Sequence, residues 1–412
     1  MKKLIFGLSL LMVVSLFSCS DDDNEIPVSY LTIQLNTPDD IETSSFYFGD
    51  LTVTNVNSGE EIVMELNGFE YPAIDLEEGI YNFLIAGEID YYAVNADGNK
   101  TLMHGAIRGL KENVSIEGGE FGLDIDLFVY SSKSDFVISE IFFADTKTPE
   151  GDPYLEGDQY FELYNNTSKV LYADGLCIGE TEFQTVDKLV DLSPDNRNEF
   201  TPVRAVYRIP GNGTDYPVQP GESILISDIA INHISDNANS FDLSGSDFEW
   251  FDGADIDVDV PEVPNMIKMV SASTSVWHLH NRGYNSYILF RMNDVTPEAF
   301  TSDYAYHYDY KFVFGDLVFD MDNDAWEVPN DAIIDAVGCS TPSEYQWKAM
   351  SPTLDLTWTH SGDGDDTRYG KSVKRKVSYV EADGRVVLMD TNNSAVDFIP
   401  TAMPSPGVIE TE

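Results

Sequence analysis

The run Trp277-His278-Leu279-His280-Asn281-Arg282 holds the most suggestive local chemistry in the chain. In an extended strand, imidazoles two residues apart project to one face and can chelate a transition-metal ion, with His307 or a nearby carboxylate completing the set. The same residues suit a hydrogen-bonded pair in an aromatic patch, since the spacing fixes no third ligand. Calcium is the other cation that the residue types allow. Asp320-Met321-Asp322-Asn323-Asp324 opens like a helix-loop-helix calcium loop, yet Ala325 stands where that loop needs glycine and Asp331 where it needs a bidentate glutamate. Asp255, Asp257 and Asp259 alternate with Ile256, Val258 and Val260, the pattern of a solvated strand face, and Gly362-Asp363-Gly364-Asp365-Asp366 suits a turn or a calcium-lined loop.

Signatures of catalysis are missing. No G-x-S-x-G elbow, H-E-x-x-H helix, C-x-x-C pair or G-x-G-x-x-G turn occurs. Gly364 to Gly370-Lys371-Ser372 has five intervening residues where a phosphate loop has four, and it precedes a strand. With 72 acidic residues, paired carboxylates for glycoside hydrolysis carry no information. The expectation is therefore a non-enzyme, with a metal-dependent hydrolase at His278, His280 and His307 as the catalytic alternative.

The elements that would position these residues begin with an address. Lys2 and Lys3, an apolar run from Leu4 to Phe17 and then Ser18-Cys19 have the order of a secretory signal too short to span a bilayer. Residues 1–18 read as a lipoprotein signal peptide, Cys19 as the lipidated residue that ties the chain to a membrane, and 19–27 as an acidic tether. The acidic Asp21-Asp22-Asp23 behind that cysteine resembles the signal carrying lipoproteins of the Bacteroidota to the outer face of the outer membrane. A net charge of -49 repels polyanions, which excludes nucleic acid as a partner. Hydrophobic residues at 42% and aromatics at 12% suffice for a sizeable core. Cys177 and Cys339 sit in apolar strand-like contexts, and the sequence leaves open whether they pair.

From Val28 to Tyr130 apolar residues recur at period two, as in Leu31, Ile33 and Leu35 or Tyr81, Phe83 and Ile85, with Gly/Asn turns at short intervals. This predicts an antiparallel sandwich over residues 28–130. Leu76 to Phe83 is similar to the G-x-Y-x-F strand of prealbumin-like domains. A polar stretch, residues 131–134, then separates a second pattern: Val137-Ile138-Ser139-Glu140-Ile141, Tyr160 to Asn166, Pro220 to Ser227, Gly315-Asp316-Leu317, Ile333 to Val337, Asp390 to Phe398 and Pro404 to Gly407. In that order they resemble the lamin-tail fold, implying an all-β chain with a lamin-tail-like Ig sandwich over 135–409. The whole chain resembles an uncharacterised family of Bacteroidota surface lipoproteins encoded beside TonB-dependent receptors, which implies such a receptor as partner.

Residues 181–216 and 229–310 interrupt the lamin-tail pattern and read as insertions forming a lobe of their own. Loops of that length are functional or disordered, and their aromatic density argues against disorder. Trp250, Trp277, Tyr284, Tyr287, Tyr306 and Tyr308 are the expected ligand contacts. Two short helices are predicted, at Thr296-Pro297-Glu298 and Thr341-Pro342-Ser343-Glu344, each with a capping hydroxyl before a first-turn proline. Lys371, Lys374, Arg375 and Lys376 form the basic cluster, expected on a charged edge strand from Ser372 to Tyr379. Together these features predict an outer-membrane surface lipoprotein that binds a ligand or partner as an accessory to an uptake receptor; a structural or adhesive role is the further alternative.

Overall fold

The computed structural model describes residues 28–410 apart from 39–40, 131–134, 254–256 and 293. The predicted signal, Cys19, the acidic tether, the polar linker and Asp255 lie outside the described residues.

Alternation governs the first third of the chain. Strand Val28–Asn36 buries Leu31, Ile33 and Leu35 and exposes the residues between them, as a sheet with one wet face requires. It lies between Glu70–Glu77 and Gly119–Asp126 in a three-stranded sheet. A second sheet runs in the order Glu61–Glu65, Ile41–Asn55, Gly79–Val94, Lys100–Ile116, Phe128–Tyr130. The inner faces of both sheets share one core that includes Leu31, Phe83, Ile85, Ile107 and Ile125. The expected antiparallel pattern has one departure: Val28–Asn36 pairs in parallel with Gly119–Asp126. Each strand carries apolar residues at period two whichever way its neighbour runs, so alternation cannot encode that direction.

Beyond residue 135 the strands change character. Phe136–Phe142, Tyr160–Asn165 and Leu176–Thr181 are buried at every position, as expected of strands covered on both faces. One sheet has the order Phe248–Glu249, Ser223–Ser227, Tyr160–Asn165, Phe136–Phe142, Ser372–Arg375, Phe398–Ala402. The facing sheet runs from Val190–Ser193 through Ala305–Phe314, Leu317–Pro329, Phe200–Arg208, Leu176–Thr181 and Tyr287–Arg291 to Ile333–Val337, with Ile267–Ser271 also on Phe200–Arg208. Between the two lies the largest core, built on Phe161, Tyr207, Trp250, Trp277 and Tyr287.

Two expectations are corrected here. The segments 181–216 and 229–310 form no lobe of their own: they supply Phe200–Arg208 at the centre of one sheet and Phe248–Glu249, Ile267–Ser271 and Tyr287–Arg291 to both sheets. Nor is Ser372–Arg375 an edge. It lies between Phe136–Phe142 and Phe398–Ala402, with Arg375 1% exposed. Its guanidinium meets Asp335 at 2.6 Å, Asp390 at 3.4 Å and Asp397 at 3.7 Å, and also donates to the carbonyls of Ile138 and Met389. Buried charge is tolerated when paired and hydrogen-bonded in this way.

The helix at Pro297–Asp303 is present as expected, with Thr296 Oγ1 accepting from Ala299 N at 3.2 Å. At Thr341 only a single turn forms, Tyr345 N donating to Thr341 O. Cys177 and Cys339 are separate, buried free thiols.

Candidate functional site

A cavity of about 860 Å³ opens where the two sandwiches meet. Its first wall comes from the N-terminal strands, which present Ile41, Tyr91, Ala93 and Arg108. Its second wall is the hairpin of Val377–Val380 and Val386–Leu388 together with the loop at Asn166 to Lys169. The hairpin turn is compact because Gly384 takes a φ of +89° and donates its N–H to Glu381 O at 2.9 Å. Asn166 then fixes the hairpin: its side chain accepts from Leu388 N at 2.8 Å and donates to Leu388 O at 3.0 Å, while Tyr164 OH donates to Val386 O at 2.7 Å.

Charge is arranged across this space. Arg108, from the first sandwich, stacks over the Tyr379 ring at 4.3 Å and sits 3.5 Å from Glu381 Oε1. Arg385, from the second, meets the same oxygen at 3.2 Å. Glu381 is thus shared by two guanidiniums, and Arg108 Nε is buried with no hydrogen-bond partner. Lys169 stands exposed at the rim. Asp390, on the cavity floor, is raised by burial against the pull of Arg375, which it meets at 3.4 Å. Arg108, Lys169 and Arg385 thus line one mostly apolar hollow together with the acids Asp135, Glu381 and Asp390, an arrangement that suits a small amphipathic organic ligand.

The predicted ligand contacts lie elsewhere. Trp250, Trp277 and Tyr287 are interior: Trp277 stacks on Tyr207 at 4.6 Å, and Trp250 Nε1 donates to Trp277 O at 3.0 Å. Tyr306 and Tyr308 are buried beside Phe183, Ala325 and Trp347. Their density signals core packing, because large aromatic area gains most from leaving water. Only Tyr284 of the six reaches the surface, donating its hydroxyl to Glu344 and stacking on His280 at 4.5 Å.

The three histidines do not assemble. His278 and His280 do share one side of an extended segment, with Trp277 and Leu279 turned inward. They differ in their surroundings, however: His280 Nδ1 is buried with no hydrogen-bond partner, whereas His278 is paired. His278 Nδ1 lies 2.8 Å from Asp228, and that hydrogen bond raises its pKa. Burial lowers His280 to about 4. His307 pairs with Asp324 across a distant hairpin at 2.8 Å. Among the described residues, no group of three His, Cys, Asp or Glu side chains is placed to hold a metal ion. The acidic runs are likewise occupied. Asp320 to Asp324 lie within strand Leu317–Pro329, Asp257 and Asp259 accept from Asp252 N and Asn265 in irregular backbone, Asp363 accepts from the Ser343 hydroxyl, and Asp365 accepts from Thr367 N in a local turn. Asp257 and Asp259 are therefore not on a strand face.

Arg108, Tyr379, Glu381 and Arg385 are the residues that sequence reasoning misses. Arg108 and Tyr379 are 271 positions apart, and no periodicity links them.

Residues 219–405 match the model of a family described as a protein of unknown function, DUF4876. Among solved structures, a DUF4876 family protein from Bacteroides thetaiotaomicron is 23% identical, with a TM-score of 0.60 over 91% of this chain and 96% of that one. The two share a fold. A candidate adhesin from Bacteroides ovatus, 11% identical over 82% of this chain and 100% of that one, has a TM-score of 0.20, too slight a likeness to carry an argument. No curated protein matches the chain. Among the described residues no helix is long and apolar enough to cross a membrane.

Proposed function

We propose that the chain is a DUF4876-type surface lipoprotein, anchored through Cys19, that holds a small amphipathic organic ligand between its two sandwiches and serves an outer-membrane uptake receptor. The observation that carries the binding role is the cavity itself, whose size suits a small ligand and whose apolar walls converge on the Arg108–Glu381–Arg385 bridge. Surface anchoring is supported by the order of residues 1–23, and the receptor partner by the family resemblance.

The test uses 1-anilinonaphthalene-8-sulfonate, an aromatic anion, with protein starting at Ser20. The parent gives a saturable fluorescence increase. Val387→Trp, which fills the cavity, abolishes it, and Arg108→Gln weakens it with unchanged dye spectra. Identical titrations for parent and Val387→Trp would refute the reading.

A further inference from the structure

The ribbon of Ala305–Phe314 and Leu317–Pro329 extends beyond the sheet that anchors it. Val190–Ser193 flanks one strand only at Asp309 and Lys311, and Phe200–Arg208 flanks the other only from Trp326 to Pro329. Past those residues the two strands pair solely with each other among the described residues, with Phe312 opposite Phe319, Val313 opposite Val318 and Phe314 opposite Leu317.

Successive residues in a strand point to opposite faces. A free ribbon is expected to keep at least one face polar. Here both are apolar: Phe312, Val313, Phe314, Leu317, Val318 and Phe319 are all exposed, Phe314 by 70% and Leu317 by 58%. A contiguous exposed apolar patch of this kind marks a contact site. The base is rigid, since Tyr306 OH donates to Pro194 O at 2.6 Å and Tyr308 OH donates to Glu182 at 2.8 Å over the Phe183–Trp347 cluster. The tip is therefore held out from the body.

Its collar decides among occupants. Asp309, Asp316, Asp320, Asp322 and Asp324 surround the tip, while Lys311 is taken by Asp191 at 2.7 Å and His307 by Asp324. An anionic bilayer, or a second copy bringing the same collar, meets like charge. A cleft with a positive rim meets opposite charge.

We propose that this hairpin tip is a docking element for a protein partner whose receiving surface is an apolar cleft bordered by lysine and arginine. The outermost residues Phe314 and Leu317 fill the cleft, and the aspartates engage its rim.

The experiment places p-benzoylphenylalanine at position 314 of the full chain in its own cells. Irradiation is expected to give one discrete protein adduct whose cross-linked peptide is apolar and flanked by Lys or Arg. The adduct is lost with Leu317→Ser and Phe319→Ser in the same chain, and reduced by Asp320→Asn with Asp322→Asn. With that partner purified, Phe314→Ser plus Leu317→Ser weakens binding roughly thirtyfold, as for truncation of a central anchor. Unchanged thermal melting of these variants, all at exposed positions, verifies folding. Adducts with lipid alone, with a second copy of the chain, with a peptide lacking basic flanks, or with nothing would overturn the proposal.

Discussion

Replacing Arg375 by methionine would strand three carboxyl groups inside the larger sandwich. Asp335, Asp390 and Asp397 all lie within 3.7 Å of the guanidinium, and two backbone carbonyls, of Ile138 and Met389, lose their donors. Removing one partner from a buried ion network costs about 3–5 kcal/mol, and methionine retains much of the apolar contact with the Phe398 ring that Arg375 covers at 4.6 Å. The pH dependence identifies the cause. Burial raises Asp390 to about 8 and Asp397 to about 6, and raises Asp335, while Arg375 opposes all three. A carboxyl whose folded pKa lies above its unfolded value keeps a proton that the unfolded chain has released, so its contribution to stability falls as pH rises between the two values. Without Arg375 those folded values move further upward. The variant's deficit is then smallest near pH 5 and grows toward pH 8, by up to about 1.4 kcal/mol per pH unit for each extra proton held. Urea unfolding at pH 5, 6.5 and 8 measures it. A deficit that does not change with pH, or one below about 1 kcal/mol, would refute the reasoning.

Trp250→Ala should cost about 3–5 kcal/mol in urea unfolding while leaving dye binding in the cavity unchanged, because the indole is core and not contact surface. Cys177 and Cys339 should resist a thiol reagent at pH 8 until the chain unfolds, since burial pushes Cys177 up to about 12 and Cys339 higher still. His278 should titrate above the usual histidine value in an NMR experiment and fall back in Asp228→Asn; the stability from that pair is present below the unfolded value and disappears as pH climbs through the folded one.

The N-terminal strands were readable because their outer faces are wet: Tyr30, Thr32 and Gln34 report the solvent side as plainly as Leu31, Ile33 and Leu35 report the core. Thr296 was readable because a helix cap is a local device. The larger sandwich was harder to read, since both faces of its central strands are covered and alternation disappears. Thus Trp250, Trp277 and Tyr287, spread through an apparent insertion, looked like contacts when they are interior. Arg375 looked solvated because lysines flank it, whereas its partners come from Asp335 and from beyond Leu388. The cavity was out of reach for the same reason. Arg108 and Tyr379 meet only because two sheets that share no hydrogen-bond ladder are placed side by side.

Leu356 belongs by sequence to the second sandwich but is buried in the core of the first, and its backbone carbonyl accepts from Ala96 N at 2.9 Å. Its own N–H donates to Asn392 O at 2.7 Å. One side chain therefore acts as a peg between the two halves. Cutting the chain near residue 131 leaves a hole in one fragment and a bare leucine on the other, so neither half expressed alone represents its state in the whole. The peg also limits swivelling, which gives the hollow beside it a fixed width.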